Sequence, residues 1–339
     1  MRRFKFFLAH TVSLLFLVGQ ASGQEVSLIE AAKKEGGRVV VYGSMESSIA
    51  ESIANAFLRK TGLTIDYWRA SSTKVMERAL SEYRAGKPLS DVVLTIAGPM
   101  RIMQSEGIFA RYDSPTAKDY PKSAIDPVLG PNYRNLMIGI VYNKNAINPV
   151  DAPRSLEDLA KPQYRGKLVM PDPTQHTTTT QWLASRHRLM GKEKAERYIG
   201  DLAATRPVLV ESLLPPVERA SSGEIPIAIT LVHYAYVFGQ KGAPLDYVRL
   251  PRMLGDSNYA ALSNKAPHPN GGKVFIDYFL DDECMTIMAK MGEFVNRKGI
   301  YPPLADADKI QFLPMDELSV KAYADKKNEY RDLFLRQKF

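Results

Sequence analysis

The chain of 339 residues has a single cysteine, Cys284, which excludes an internal disulfide and any cysteine-rich metal site. In an apolar helical stretch, that thiol is expected to behave as a small buried hydrophobe. No block of like charges runs along the chain, so nucleic acid is not an expected partner. The common catalytic signatures are also missing: there is no G-x-S-x-G elbow, no H-E-x-x-H, no Walker loop and no G-x-G-x-x-G after a strand. Adjacent acids such as Asp281 and Asp282 fall on a late helical segment and read as a solvated face rather than a catalytic carboxylate pair. An enzyme is therefore not expected, nor is a resident cofactor.

What is present is ordinary in bulk. Apolar content of 45% and charged content of 24% suit a globular protein, and the length suits two domains. The first residues depart from this average. Met1-Arg2-Arg3-Phe4-Lys5 is a basic head, Phe6 to Val18 is mostly apolar, and Ala21-Ser22-Gly23 offers the small residues of a cleavage site. Residues 1–23 thus read as an export signal cleaved near residue 23, which places the mature protein in the periplasm. The alternative of an N-terminal anchor meets an apolar run shorter than the ~20 residues a spanning helix needs. No cysteine follows, so lipid attachment is not expected. Cleavage removes Arg2, Arg3 and Lys5 and no acid, which lowers the formal charge from +8 to +5. That mild surplus suits an anionic ligand.

Short β-branched runs alternate with helical patterns. Arg38 to Tyr42 precedes an amphipathic helix over about Glu46 to Lys60, with Ile49, Ile53, Ala56 and Phe57 on one face. Thr64 to Trp68 leads into Arg69-Ala70-Ser71-Ser72-Thr73 and another helix, and Asp91 to Ile96 ends at Ala97-Gly98-Pro99. Leu136 to Tyr142, Lys167 to Met170, Pro207 to Val210 and Ile225 to Leu231 continue the strand pattern, and Ser155-Leu156-Glu157-Asp158 has the spacing of a helix start. The alternation predicts an α/β fold.

Ligands of open α/β sheets bind beyond the carboxyl ends of the strands. Here those ends carry Ser44, Ser71, Ser72, Thr73, Thr177, Thr178, Ser212 and Tyr234, a set dominated by hydroxyls. Each taken alone reads first as a local helix cap, and the joint pattern in both halves points to donors for a bound anion beside the free N–H groups of a helix start. The run Thr177 to Thr180 poses this choice most sharply, because threonine is a mediocre helix-interior residue. Arg69 is placed for a bidentate contact with carboxylate or phosphate, or for a surface ion pair. His176 and His233 read as hydrogen-bonding or packing residues, and Trp182 as core.

Three stretches carry a resemblance: SLEDLAKPQYRGKLVMPDPT (Ser155 to Thr174), GEIPIAITLVHYAYVFGQKGAPLDYV (Gly223 to Val248) and APHPNGGKVFIDYFLDDE (Ala266 to Glu283). They resemble the periplasmic solute-binding proteins of ABC importers, of the ferric-iron-binding type. The resemblance covers nearly the whole mature chain. It implies a type II periplasmic-binding-protein fold, two lobes each built on a mixed sheet flanked by helices and joined by hinge strands, closing on a ligand. Lobe one is expected over residues 24–137 and 252–275, and lobe two over 138–251 and 276–339. The resemblance also implies a monomer that delivers its solute to an inner-membrane permease.

Iron-binding members use a histidine or acid after the first strand, an acid in the second segment and two adjacent tyrosines, since ferric ion prefers anionic oxygen donors. Here Glu46 stands after the first strand, the second segment offers Ser71, Ser72 and Thr73, and the tyrosines are split as Tyr234-Ala235-Tyr236. Hydroxyls and amides suit phosphate or carboxylate better than iron. The family's anion-contacting segment matches PTQHTTTTQW, which gives Thr177, Thr178 and Thr179 that role by resemblance. The expected ligand set is Ser44, Arg69, Ser71, Ser72, Thr73, Thr177, Thr178, Thr179 and Tyr234, with no metal. The alternative is Fe3+ as transported ligand, held by Glu46, Tyr234 and Tyr236.

Overall fold

The structure, a computed structural model, describes residues 25–335. The expected export signal lies outside the described residues. A helix over 25–34 (α1) leads into β1 (Arg38–Gly43), α2 (Ser47–Thr61), β2 (Thr64–Arg69), α3 (Ser72–Arg84), β3 (Val92–Ile96) and α4 (Ala97–Ser105). The short strands β4 (Ile125–Asp126) and β5 (Gly130–Pro131) come next, then the long strand β6 (Arg134–Asn143) and β7 (Leu168–Pro171). After them run α5 (Thr177–Ala184), α6 (His187–Met190), α7 (Lys192–Ala204), β8 (Val208–Val210), α8 (Leu214–Ser222), β9 (Ile227–Leu231), α9 (Tyr234–Gly239) and β10 (Leu245–Tyr247). A second long strand, β11 (Arg252–Leu262), precedes α10 (Pro269–Phe279), α11 (Asp282–Lys290), β12 (Gln311–Pro314) and α12 (Val320–Phe334). Among the described residues, no helix is long and apolar enough to cross a membrane.

The chain divides into two compact units. One comprises the residues up to Tyr133 together with Asn258–Ile287, and the other comprises Arg134–Ser257 with the residues from Met288 on. The sequence reading put the crossings at 137/138 and 251/252, a few residues away, because β6 and β11 are unbroken strands with no Gly-Pro punctuation where the chain changes unit. It also assigned residues 276–339 to the second lobe. The helix α10 instead stays whole in the first unit: Phe275 and Tyr278 pack their rings on Phe57 of α2, with centroids 6.0 and 5.4 Å away.

In the first unit, β1 lies between β2 and β3, parallel to both, and the second half of β11 runs antiparallel to β3 from Asn258 opposite Ile96 to Leu262 opposite Val92. The run Val39-Val40-Val41 suits a strand covered on its faces. The adjoining α2 buries Ile49, Ile53, Ala56 and Phe57 and ends at Gly62, whose left-handed backbone lets its N–H reach the Leu58 carbonyl at 2.9 Å. Cys284 is fully buried, as its apolar surroundings led us to expect. Asp281, by contrast, is not a solvated acid: it accepts from the Cys284 amide at 2.9 Å and pairs with Lys60 at 2.6 Å.

In the second unit, β6 runs antiparallel to β9 and β10, β7 runs parallel to β9 and β8, and the first half of β11 pairs in parallel with β12. Both units therefore rest on mixed sheets flanked by helices. Ser155 and Asp158 exchange reciprocal hydrogen bonds, each 3.1 Å long, of the kind that starts a helix. Only a 3-10 turn over Glu157–Ala160 follows, because the chain reaches Pro162 and extends.

Candidate functional site

Parallel pairing brings several loops to one sheet edge within each unit. In the first, Gly43 stands level with Arg69 and Leu94, so Ser44 and the turn at Ala70 and Ser71 leave the sheet beside Thr95, the next-to-last residue of β3. The Ser44 hydroxyl shares a 2.8 Å hydrogen bond with that of buried Thr95. Ser71 is the N-cap of α3, and its hydroxyl accepts from the Lys74 amide at 3.4 Å, so its side chain is committed to the local cap. Ser72 and Thr73 follow as the first helical residues, half-buried and exposed respectively. Arg69 is exposed at the end of β2 and forms no ion pair with a described acid. Glu46, exposed, precedes α2 without capping it through its side chain.

One feature of this edge was not named as a site in the sequence reading. Ile96 runs straight into α4 without a capping side chain, which leaves the first amides of that helix, at Ala97 and Gly98, without an acceptor inside it. The signal was available: a strand that passes directly into Ala-Gly-Pro lacks the Ser, Thr, Asp or Asn that normally closes a helix start.

In the second unit, β7, β8 and β9 are parallel and end together, and the Asp172 amide donates to the Val210 carbonyl at 2.7 Å. The threonine run divides in two here. The N-cap of α5 is His176, not a threonine. Its Nδ1 accepts from the Thr179 amide at 3.3 Å and lies 2.8 Å from the Thr179 hydroxyl. An amide can only donate, so Nδ1 is unprotonated and the hydroxyl donates as well. Thr179 is therefore buried and engaged, unlike the free donor expected of it. Thr180 is buried too and donates to the carbonyls of Pro173 at 2.7 Å and His176 at 3.1 Å. Thr177 is exposed and Thr178 half-buried; their amides have no acceptor within the helix, and no described residue takes their hydroxyls.

Burial, together with the nearby Lys327 charge, lowers the His176 pKa below its usual 6.5. A folded state that resists protonation is favoured above the unfolded imidazole's pKa, and this advantage is lost as pH falls through it. Melting temperature should drop as pH falls below about 6.5, and His176→Asn, which keeps a capping acceptor, should flatten that drop. An identical pH profile for both proteins would contradict the assignment.

Tyr234 and Tyr236 are both on α9. Residues two apart on a helix point about 200° apart, so the pair diverges. Tyr236 donates its hydroxyl to the Lys290 carbonyl at 3.1 Å, while the Tyr234 ring packs edge-on against His233 and Phe238. Among the described residues, no three His, Cys, Asp or Glu side chains gather as a metal site. Trp182 is fully buried.

A sheet edge of hydroxyls and open helix starts in each of two α/β units is the build of a binding protein. The chain belongs to the family of bacterial extracellular solute-binding proteins, whose model matches residues 38–292. Among the solved structures that share its fold are the following three. The substrate-binding protein of an ABC transporter from Agrobacterium tumefaciens superposes with a TM-score of 0.73 at 16% identity, over 88% of this chain and 94% of that one. Iron-bound HitA from Pseudomonas aeruginosa gives 0.67 at 20% identity, over 89% and 99%. The periplasmic binding protein AfuA from Actinobacillus pleuropneumoniae, with fructose-6-phosphate bound, gives 0.64 at 20% identity, over 88% and 97%. The two-lobed type II fold expected from the sequence is the fold of these neighbours.

Proposed function

We propose that this protein is the periplasmic solute-binding component of an ABC importer. It captures a small solute bearing a phosphate or carboxylate group and delivers it to an inner-membrane permease. Both iron and sugar-phosphate binders occur among the structural neighbours, so fold alone does not choose the ligand. The observation that carries the choice is the character of the two sheet edges. Ser72, Thr73, Thr177 and Thr178 offer hydroxyls beside helix-start amides, and the α4 start adds two more amides. Such donors satisfy an oxyanion, whereas ferric ion calls for several deprotonated oxygens. The split tyrosines argue the same way, since Tyr236 would have to surrender its bond to Lys290.

In this reading, Thr177, Thr178, Ser72 and Thr73 contact the anionic group. Ser44 and the α4 amides assist, and Arg69 and Tyr234 hold the remainder of the solute. Ser71 and Thr179 position the helices rather than touch the ligand. A melting-temperature screen against sugar phosphates, inorganic phosphate, di- and tricarboxylates and ferric citrate tests the proposal. A ligand at about a hundredfold over its Kd stabilises the folded state by about 2.7 kcal/mol, a shift of several degrees. Stabilisation by a phosphorylated or carboxylated solute is expected. Silence from all the iron-free solutes, with a coloured complex on adding ferric citrate, would transfer the function to iron through Glu46, Tyr234 and Tyr236.

Thr178→Val should weaken binding of the identified solute by roughly tenfold, the worth of a hydrogen bond to a charged group of about 1.5 kcal/mol, and leave the unliganded melting temperature unchanged. Thr180→Val should do the reverse, because it removes a buried donor with two acceptors. Titration calorimetry and thermal melting separate the two. Equal effects of both substitutions on both readouts would show that the four threonines do not divide as described.

A further inference from the structure

Around the C-terminal end of α5, four buried donors lack acceptors among the described residues: Arg186 Nη2, the Trp182 indole N–H, and the hydroxyls of Tyr198 and Tyr330. All four side chains are at most 3% exposed. The Arg186 guanidinium stacks on the Trp182 ring, 3.7 Å from its centroid. Tyr198 on α7 and Tyr330 on α12 lie close enough for the guanidinium charge to act on both phenols. None of the four is used by the solute edge, which is at the other end of α5, about 12 Å away for an eight-residue helix.

A guanidinium stays protonated even in an apolar setting; burial pushes Arg186 down to about 9, still charged at neutral pH. Glu157 acts on it electrostatically, but it is an exposed side chain and makes no ion pair with it. A buried cation with no counter-charge is strongly unfavourable. Water inserted there would satisfy the donors and leave the charge uncompensated, whereas an anion does both.

We infer that the second unit binds a halide-sized inorganic anion at Arg186, held by the guanidinium Nη2, the Trp182 indole N–H and the Tyr198 and Tyr330 hydroxyls. The size follows from the donors. Arg186 Nε already donates to the Trp182 carbonyl at 3.1 Å, which closes the side-on Nε–Nη2 fork to a carboxylate or phosphate, and of the two terminal nitrogens Nη2 alone is buried without an acceptor among the described residues. A monatomic ion accepts from single donors arriving from several side chains. A surface pocket on the same unit has Tyr198 in its wall and is lined by Lys194 and Arg197 together with Glu157 and Asp201, so the opening nearest the site is mixed in charge.

The test compares melting in sodium chloride with melting in sodium gluconate at equal ionic strength, for the wild type and for Arg186→Met. The wild type should melt about 3 °C or more higher in chloride, and the variant should not distinguish the salts. Should Arg186→Met fail to fold, crystals of the intact protein grown in bromide supply the second readout. An anomalous peak within hydrogen-bond distance of Arg186 Nη2 and Trp182 Nε1 supports the site. Equal melting of the wild type in both salts, chloride dependence unchanged in Arg186→Met, or bromide-free density of water alone at Arg186 overturns it.

Discussion

Glu293→Ala should destabilise the protein by about 3–5 kcal/mol, the largest loss expected of any single surface-remote substitution in the second unit. Arg134 and Glu293 are 2% exposed each, and Nη1 lies 2.9 Å from Oε1. Arg134 opens β6 where the chain enters the second unit, and Glu293 follows its last entry at Met288. The start of β6 and the segment after Glu293 are tied together by a bridge between Arg134 and Val295 and by the Asn135 amide donating to the Phe294 carbonyl at 2.9 Å. Removing the carboxylate leaves a guanidinium in an interior that cannot solvate it. Removing both charges is a different matter, because well-packed apolar replacements often recover the stability of a buried pair. Arg134→Met combined with Glu293→Leu should therefore lie closer to wild type than Glu293→Ala alone. Urea midpoints at constant m-value decide it, and a single variant within about 1 kcal/mol of wild type would show that the pair is not the anchor claimed here.

Gly255→Ala is the second large effect. An added Cβ would meet the Leu136 carbonyl oxygen at 2.2 Å and the Leu136 carbonyl carbon and Met137 Cα at 2.8 Å. These are backbone atoms, so no rotamer change relieves the clash, and β6 and β11 must separate. Overpacking of this kind typically costs about 1–3 kcal/mol when side chains can yield, and a backbone obstacle belongs at or above the top of that range. Gly139→Ala provides the comparison: its nearest obstacle is the Val232 Cγ1 methyl at 2.6 Å, a side-chain atom that can shift. The expected order of stability is wild type, Gly139→Ala, Gly255→Ala. Denaturant unfolding that ranks Gly255→Ala above Gly139→Ala would mean the two strands tolerate more separation than their spacing allows.

Much of the fold was legible because it rests on local signals. Val39 to Val41, Val92 to Ile96 and Ile227 to Leu231 each announce a buried strand, and the inward faces of α2 and α3 follow a 3.6-residue period. What could not be read were partnerships between remote residues. The start of α10 is capped by the Glu35 carboxylate, which accepts from the Asn270 and Gly271 amides at 3.0 and 3.1 Å across 235 residues of sequence. Asp91 accepts from the Val40 and His268 amides at 2.7 and 2.6 Å and so joins β1 to the turn before α10. Neither residue carries a motif.

The candidate site was legible in position and less so in detail. Strand ends followed by Ser and Thr pick out turns that the parallel strands bring side by side, but which hydroxyls are occupied depends on neighbours. Ser71 and Thr179 turn inward to a cap, while Thr177 and Thr178 do not, and nothing in four identical letters distinguishes them. Histidine is an uncommon N-cap, so the role of His176 was hidden behind the threonines that follow it.

The central claim is that hydroxyl and amide donors at these edges hold an anionic solute. Calorimetric titration of the screened solute into wild type, Ser72→Ala and Thr178→Val measures it directly, since one substitution lies in each unit. Each variant is expected to bind roughly tenfold more weakly with an unchanged unliganded melting temperature. Undiminished affinity in both variants, or a coloured ferric complex that Tyr234→Phe abolishes and they do not, would contradict it.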